Sequence, residues 1–174
     1  KVMVEFVSAN PTGPLHAGHG RGAAYGDSLA RVMARVGYDV SRENYLNDRG
    51  VQMQKFVESL AARQRLEQPP DDGYAGQYVA DWAAEIPEGA DLWEWGEARA
   101  VEDHRATLAR MNVHFDHWFS ERSMVDSGAI EQTLADLRER GVVYDDGGAV
   151  WLRSTDYGDD KDRVLVKSDG EFTY

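Results

Sequence analysis

Short apolar stretches and helical periods alternate over the first 46 residues. Residues 2–7, VMVEFV, are apolar and rich in β-branched side chains, which is typical of a buried strand. Residues 17–36 follow with a helical period, Gly37 fits the end of that helix, and residues 40–46 predict the next strand. Strand, helix and strand in this order predict a βαβ unit and therefore a parallel α/β sheet. The helix face expected to pack on the sheet carries Gly22, Tyr25 or Gly26, Leu29, Met33 and Val36.

The middle of the chain is mostly helical by its period, and the last third contains two turn signals. The helical patterns cover residues 50–66, 78–86, 92–111 and 127–140. The segment DDGG, residues 145–148, predicts a β-hairpin between residues 142–144 and 149–152, and SDG, residues 168–170, predicts a second between 163–167 and 171–174. The pattern thus predicts half of a parallel α/β domain, interrupted by a mainly helical insertion that closes in β-hairpins.

The amino-acid composition limits the classes of molecule that this chain is expected to bind. With 19 basic and 31 acidic residues the formal net charge is -12, which disfavours broad contact with nucleic acid or anionic lipid, so any phosphate binding needs a focused site. The absence of cysteine excludes disulfides, zinc–thiolate sites and thiol catalysis, and fits a cytoplasmic protein. No run of about 18 apolar residues exists, so no membrane partner is expected. Because the chain opens on one strand-like stretch and closes on another, we expect it to be part of a longer protein.

The segment ANPTGPLHAGHGRGAA, residues 9–24, has two incompatible interpretations. Residues 18–23 fit the G-x-G-x-x-A turn that binds NAD or FAD, with Glu43 near the position of a ribose-binding acid. That turn requires its first glycine directly after the strand, whereas Gly18 lies ten residues beyond Ser8, across two prolines. The spacing therefore disfavours a dinucleotide site.

The second interpretation places two histidines, His16 and His19, at the start of the helix. A helix N-terminus offers free N–H groups and partial positive charge, which suit phosphate. Histidines three residues apart face the same way and can donate to one group, while the neighbouring glycines let a nucleotide approach the backbone. The alternative is a surface loop whose histidines only cap the helix.

The block SANPTGPLHAGH, residues 8–19, resembles the ATP-binding signature of class I aminoacyl-tRNA synthetases, and its flanks resemble arginyl-tRNA synthetase. The resemblance runs in the family's order from about residue 4 to the last residue and is weakest at residues 67–96. It implies a Rossmann-like catalytic domain split by a connective insertion. Further matching blocks are YLNDRGVQ at 45–52, FDHWFSE at 115–121 and RSTDYGDDKDRV at 153–164.

The resemblance also implies a domain division and an activity. Residues 1–48 would form the first half of the Rossmann-like domain, residues 49–155 the insertion, and residues 156–174 the return toward the catalytic sheet. The activity would be that of an arginine–tRNA ligase, which activates arginine with ATP to arginyl-adenylate and transfers it to tRNA(Arg). ATP would be a substrate accompanied by Mg²⁺, with no protein-bound metal. Two alternatives remain open: another H-x-G-H nucleotidyltransferase, or a non-catalytic, synthetase-like binding module.

We expect the chain alone to be inactive. A Lys-Met-Ser-Lys-like loop and an anticodon-binding domain, which the family uses, have no counterpart in these residues.

The resemblance assigns two groups of site residues. His16, Gly18, His19 and Gly20 would bind ATP, and His16 and His19 would help the α-phosphate accept attack by the arginine carboxylate. A guanidinium has five donors and no acceptor, so its pocket needs a carboxylate, for which Glu5 is the candidate unless it faces outward from its strand. The residues expected to line the arginine pocket are Glu5, Ser8, Asn10 and Tyr174, the last with a core aromatic as its alternative.

Three further polar groups have plainer explanations. The junction between the second strand and the next helix carries the polar residues Asn47, Asp48 and Gln52. Of these, Asp48 either caps the helix or contacts a ligand. His114 and His117 would face opposite sides of an extended segment, so no metal site is expected there. The cations Lys161, Arg163 and Lys167 alternate with acidic residues, which indicates a solvated hairpin.

Overall fold

Helices and strands follow one another in an order that begins strand, helix, strand. The structure is a computed structural model that describes residues 1–173. It divides into two compact units, Lys1–Ser123 and the residues from Met124 onward. The elements are β1 (Val2–Glu5), α1 (Ala17–Arg35), β2 (Val40–Leu46), α2 (Gly50–Gln64), α3 (Gln77–Ala83), α4 (Leu92–Arg110), β3 (His117–Ser120), α5 (Glu121–Asp126), α6 (Ala129–Glu139), β4 (Val143–Asp146), β5 (Ala149–Leu152), a 3₁₀ turn (Ser154–Tyr157) and β6 (Arg163–Val166).

A three-stranded parallel sheet forms the base of the first unit. Its order is β1-β2-β3, with Glu5 of β1 beside Glu43 of β2, and Leu46 of β2 beside Ser120 of β3. The predicted α/β class with a parallel βαβ unit is confirmed. The third strand lies within residues 49–155, which the predicted division assigned to the insertion; the other boundaries of that division remain a prediction.

The face of α1 that packs on the sheet is made of small residues. An ideal Cβ on Gly26 would lie 2.2 Å from the ring of Phe6, so only glycine permits this approach of helix to strand. The face predicted from hydrophobic period is therefore right at Gly26, which is buried, and wrong at Leu29 and Val36, which are 40% and 69% exposed. Close backbone contact selects small side chains, and large apolar residues fall on the outer side. The buried residues of α1 are Ala23, Gly26, Asp27 and Ala30.

Two apolar clusters meet along α4. The first joins α2, α3 and α4, and it includes Phe56, Trp82 and Ala100. The second lies against the parallel sheet and joins Leu108 of α4 to Phe6, the residue that follows β1. Because α4 contributes to both clusters, it fixes α2 and α3 to the sheet. The residues between Ala100 and Leu108 lie beside the chain that leaves β1.

The second unit contains an antiparallel sheet of order β4-β5-β6. The predicted hairpin at residues 142–152 is confirmed, with Gly147 and Gly148 at positive φ in its turn. β6 pairs with β5, and the predicted hairpin at 163–174 is represented among the described residues by one bridge between Val166 and Phe172. Arg163 of β6 pairs with Asp159 and Asp160, as expected for a solvated hairpin.

No helix in residues 1–173 combines the length and the apolar character needed to cross a membrane.

Candidate functional site

The chain turns away from the sheet directly after β1. Val7 and Ser8 both have positive φ, 69° and 44°, a conformation that costs about 1–3 kcal/mol for non-glycine residues and persists where the surroundings hold it. The strand therefore ends at Glu5, two residues before its predicted end. The Ser8 hydroxyl donates to Glu5 Oε1 at 2.7 Å and accepts the N–H of Tyr45 at 3.2 Å. Ser8 thus ties the carboxylate of β1 to the end of β2.

His16 and His19 form the N-terminus of α1 together. His16 is the N-cap residue, and its Nδ1 accepts the N–H of Gly18 at 3.0 Å. The Nδ1 of His19 accepts the N–H of His16 at 3.2 Å, and the two rings stack with centroids 3.8 Å apart. Because both Nδ1 atoms act as acceptors, the neutral rings carry their proton on Nε2. The same two side chains therefore cap the helix and leave both Nε2–H groups as donors.

An open pocket of about 380 Å³ lies in front of this helix terminus. It brings together four of the predicted site residues, which come from the segment between β1 and α1 and from the first turn of α1. Two tyrosines of the helical insertion, Tyr74 and Tyr78, complete its wall. The full lining is Ser8, Ala9, Asn10, Thr12, Gly13, Pro14, His16, His19, Tyr74 and Tyr78.

The remaining predicted site residues lie around this pocket or outside the description. Glu5 is exposed and reaches the pocket through its hydrogen bond with Ser8. Gly18 and Gly20 are in the first turn of α1. Tyr174 lies outside the described residues.

Three residues near the pocket were not identified from the sequence. Tyr74 and Tyr78 belong to the segment where the family resemblance is weakest, and no local pattern marks them, because Tyr74 precedes α3 and Tyr78 lies within it. His104 is 1% exposed, and its Nε2 lies 2.7 Å from the carbonyl oxygen of Gly13. Its position in the apolar stripe of α4, four residues from both Ala100 and Leu108, is the signal that marks it.

Two histidines at or near the pocket, His19 and His104, have lowered pKa values. Burial lowers the pKa of His19, and the nearby His16 and His104 lower it further. Burial also lowers the pKa of His104, and it outweighs the hydrogen bond to Gly13 and the nearby Asp103, which both raise it. At neutral pH both residues are therefore uncharged hydrogen-bonding groups.

The lowered pKa of His104 predicts a loss of stability in mild acid. As pH falls below about 6.5, His104 becomes protonated in the unfolded chain but stays neutral in the folded chain. The free energy of unfolding therefore falls by at most about 1.4 kcal/mol per pH unit for this residue. This decrease ends when the pH reaches the pKa of His104 in the folded chain. Urea unfolding between pH 8 and 5 measures this effect. His104→Gln should flatten the pH dependence, and parallel curves for the two proteins would contradict the assignment.

The Asp48 carboxylate joins neighbouring elements and does not cap the helix that follows it. α2 begins after Arg49, which makes no side-chain cap. The buried Asp48 carboxylate instead accepts the Ser120 hydroxyl and the N–H of Arg122 at 2.8 Å. The predicted capping of α2 is therefore wrong, because the carboxylate binds the neighbouring strand β3 and the start of α5.

Within residues 1–173, no group of three or more histidine, aspartate or glutamate side chains is arranged to hold a metal ion. His114 and His117 are both exposed.

Comparison with known proteins gives a consistent result along the chain. Residues 1–71 match the family model "tRNA synthetases class I (R), catalytic domain". The chain is 50% identical to an arginine–tRNA ligase of Pseudarthrobacter chlorophenolicus and 47% identical to one of Halalkalibacterium halodurans, over 99% and 100% of its length. It covers 34% and 35% of those two proteins, so it spans about one third of the relatives' length.

Two solved structures show the same fold. A Campylobacter jejuni chain assigned as an arginyl-tRNA synthetase is 35% identical, with a TM-score of 0.88, over 99% of this chain and 42% of that one. The Thermus thermophilus arginyl-tRNA synthetase is 27% identical, with a TM-score of 0.75, over 99% of this chain and 34% of that one.

Proposed function

This chain belongs to the class I arginyl-tRNA synthetase family, and we propose that the pocket at the start of α1 binds ATP and arginine for the arginine–tRNA ligase reaction. In that reaction the arginine carboxylate attacks the α-phosphate of ATP, arginyl-adenylate forms and pyrophosphate leaves. The arginyl group is then transferred to tRNA(Arg). The similarity extends through the helical insertion, which favours the ligase over other nucleotidyltransferases and over a non-catalytic module.

The observation that carries the proposal is the hydrogen bonding of the histidine pair. Both Nδ1 atoms are occupied by backbone N–H groups, so His16 and His19 present Nε2–H donors at a pocket and at a helix N-terminus. Donors that are fixed before the reaction stabilise charge that develops on a phosphate under attack. Gly18 and Gly20 lack side chains, which allows phosphate oxygens to approach the first turn of α1.

The arginine side chain is assigned to the end of β1. Glu5 supplies the carboxylate that a guanidinium needs, and Ser8 orients that carboxylate through a 2.7 Å hydrogen bond. Asn10 adds an amide at the pocket wall. Tyr174 is assigned by resemblance alone.

Magnesium is expected to arrive with ATP rather than in a protein cage. Mg²⁺ usually keeps several waters and binds through substrate phosphates with one or two carboxylates. Among residues 1–173 the pocket lining includes no carboxylate, so we expect triphosphate oxygens and waters to supply the ligands of Mg²⁺. We also propose a cytoplasmic location, where tRNA(Arg) is charged for protein synthesis.

ATP–pyrophosphate exchange tests the proposed function in a protein of the relatives' full length that contains this chain. Exchange should require arginine and tRNA(Arg), and it should not be supported by lysine or by citrulline, the uncharged isostere of arginine. The 174-residue chain alone should form no arginyl-tRNA. Exchange that proceeds equally without arginine would overturn the assignment.

A further inference from the structure

Two side chains of the helical insertion bind consecutive backbone carbonyls of the segment that leads to His16. The Tyr78 hydroxyl donates to the Thr12 carbonyl oxygen at 2.8 Å. The next carbonyl, that of Gly13, accepts His104 Nε2–H at 2.7 Å. Tyr78 is on α3 and His104 is on α4, so two helices hold this one short segment.

The His104 contact can exist in only one tautomer. A carbonyl oxygen accepts and cannot donate, so the proton must be on Nε2. The other ring nitrogen, Nδ1, is buried, and no atom of residues 1–173 forms a hydrogen bond with it. Protonation of Nδ1 would leave an unsatisfied buried donor, which is costly, so the ring acts as a fixed, neutral donor.

Tyr78 also contacts the segment sterically. A Cβ on Gly13 would lie 2.7 Å from the Tyr78 hydroxyl oxygen and 2.8 Å from Cζ. Gly13 is outside the left-handed backbone region, so an alanine would fit its backbone and would be opposed by the tyrosine ring. The Tyr78 ring, rather than the conformation of its own backbone, therefore favours glycine at this position.

We propose that Tyr78 and His104 are positioning residues that fix the Thr12–Gly13 backbone and thereby the placement of His16 and His19. This inference rests on the proposed function. Only Pro14 and Leu15 separate Gly13 from His16; the proline ring fixes one backbone angle, and Leu15 packs against the core beneath α1. A displacement of the Thr12 and Gly13 carbonyls should therefore also displace His16 and His19, because the two residues between them have little conformational freedom.

Kinetics of the full-length ligase test this proposal. Tyr78→Phe keeps the ring and removes one hydrogen bond, and it should lower kcat about 5- to 10-fold with little change in KM for ATP. His104→Leu should lower kcat about 10-fold or more, while His104→Gln, whose amide can replace the Nε2 donor, should stay within about 3-fold of the parent. Tyr25→Phe and His114→Gln, at exposed positions, are the matched controls.

A second measurement separates this proposal from the proposed function. In the 174-residue chain, ¹⁵N relaxation of Gly13 and His16 amides should show increased motion in Tyr78→Phe and His104→Leu, and no change in the controls. Increased motion in these variants, together with a full-length protein that lacks ligase activity, would support the positioning role and reject the function. Normal kcat and unchanged relaxation in both variants would overturn the positioning role and leave the function standing.

Discussion

Removal of the Nε2 donor of His16 or His19 is expected to lower kcat for arginine activation by about 10²-fold or more, the usual cost of losing such a donor. The donors should act mainly as charge develops on the α-phosphate, so kcat should fall more than KM for ATP rises. Steady-state ATP–pyrophosphate exchange in the full-length enzyme measures both constants.

The structure provides variants that separate phosphate binding from helix capping. Alanine at either position would also remove a cap, because each Nδ1 accepts a backbone N–H at the start of α1. Asparagine is a favoured N-cap residue, and glutamate at the third helical position can complete a capping box without offering a donor. His16→Asn and His19→Glu should therefore keep α1 capped while they remove the Nε2 donor.

The kcat and the thermal stability of these variants distinguish a role in phosphate binding from a role in helix capping alone. We expect a loss of kcat in His16→Asn and His19→Glu with thermal stability close to that of the parent, and no loss in the exposed control His114→Gln. Near-normal kcat in His16→Asn would return His16 to a capping role alone, and the same result in His19→Glu would do so for His19.

Glu5→Gln is expected to raise KM for arginine about 10- to 100-fold, the range for loss of a charge-assisted hydrogen bond. KM for ATP should change little, because the α1 terminus and its histidines remain intact. The variant keeps the size of the side chain and its ability to accept the Ser8 hydroxyl, so the lost interaction is with the guanidinium.

Citrulline and a second variant sharpen this test. Glu5→Gln should reduce the ratio of KM for citrulline to KM for arginine, because the neutral citrulline side chain forms no ion pair with the Glu5 carboxylate. Ser8→Ala should shift KM for arginine in the same direction by a smaller factor, because it releases the Glu5 carboxylate. Glu102→Gln, on the exposed side of α4, controls for net charge. An unaltered KM for arginine in Glu5→Gln would make Glu5 an outward-facing strand residue without a substrate role.

The sequence by itself determined the elements whose signals lie within a short window. The apolar run at Val2, the helical period ending near Gly37 and the strand at residues 40–46 gave the βαβ unit, and DDGG gave the hairpin between β4 and β5. The H-x-G-H spacing likewise placed two histidines on one helical turn, since three residues is almost one turn of an α-helix.

Only the tertiary structure decided which segments meet across long stretches of chain. The four residues of β3 carry too short a pattern to be recognised, and they become a strand through pairing with β2. The inner face of α1 is set by the approach of Gly26 to Phe6, which hydrophobic period does not measure.

Residues in and near the pocket wall likewise differ in whether the sequence alone could identify them. His16 and His19 were identified from local spacing, whereas Tyr78 and His104 act through carbonyls 66 and 91 residues earlier in the chain. Side-chain type and period are properties of a local window, but a hydrogen bond to a distant carbonyl depends on the path of the chain between them. That path is fixed by the packing of α2, α3 and α4 against one another and, through α4, against the parallel sheet.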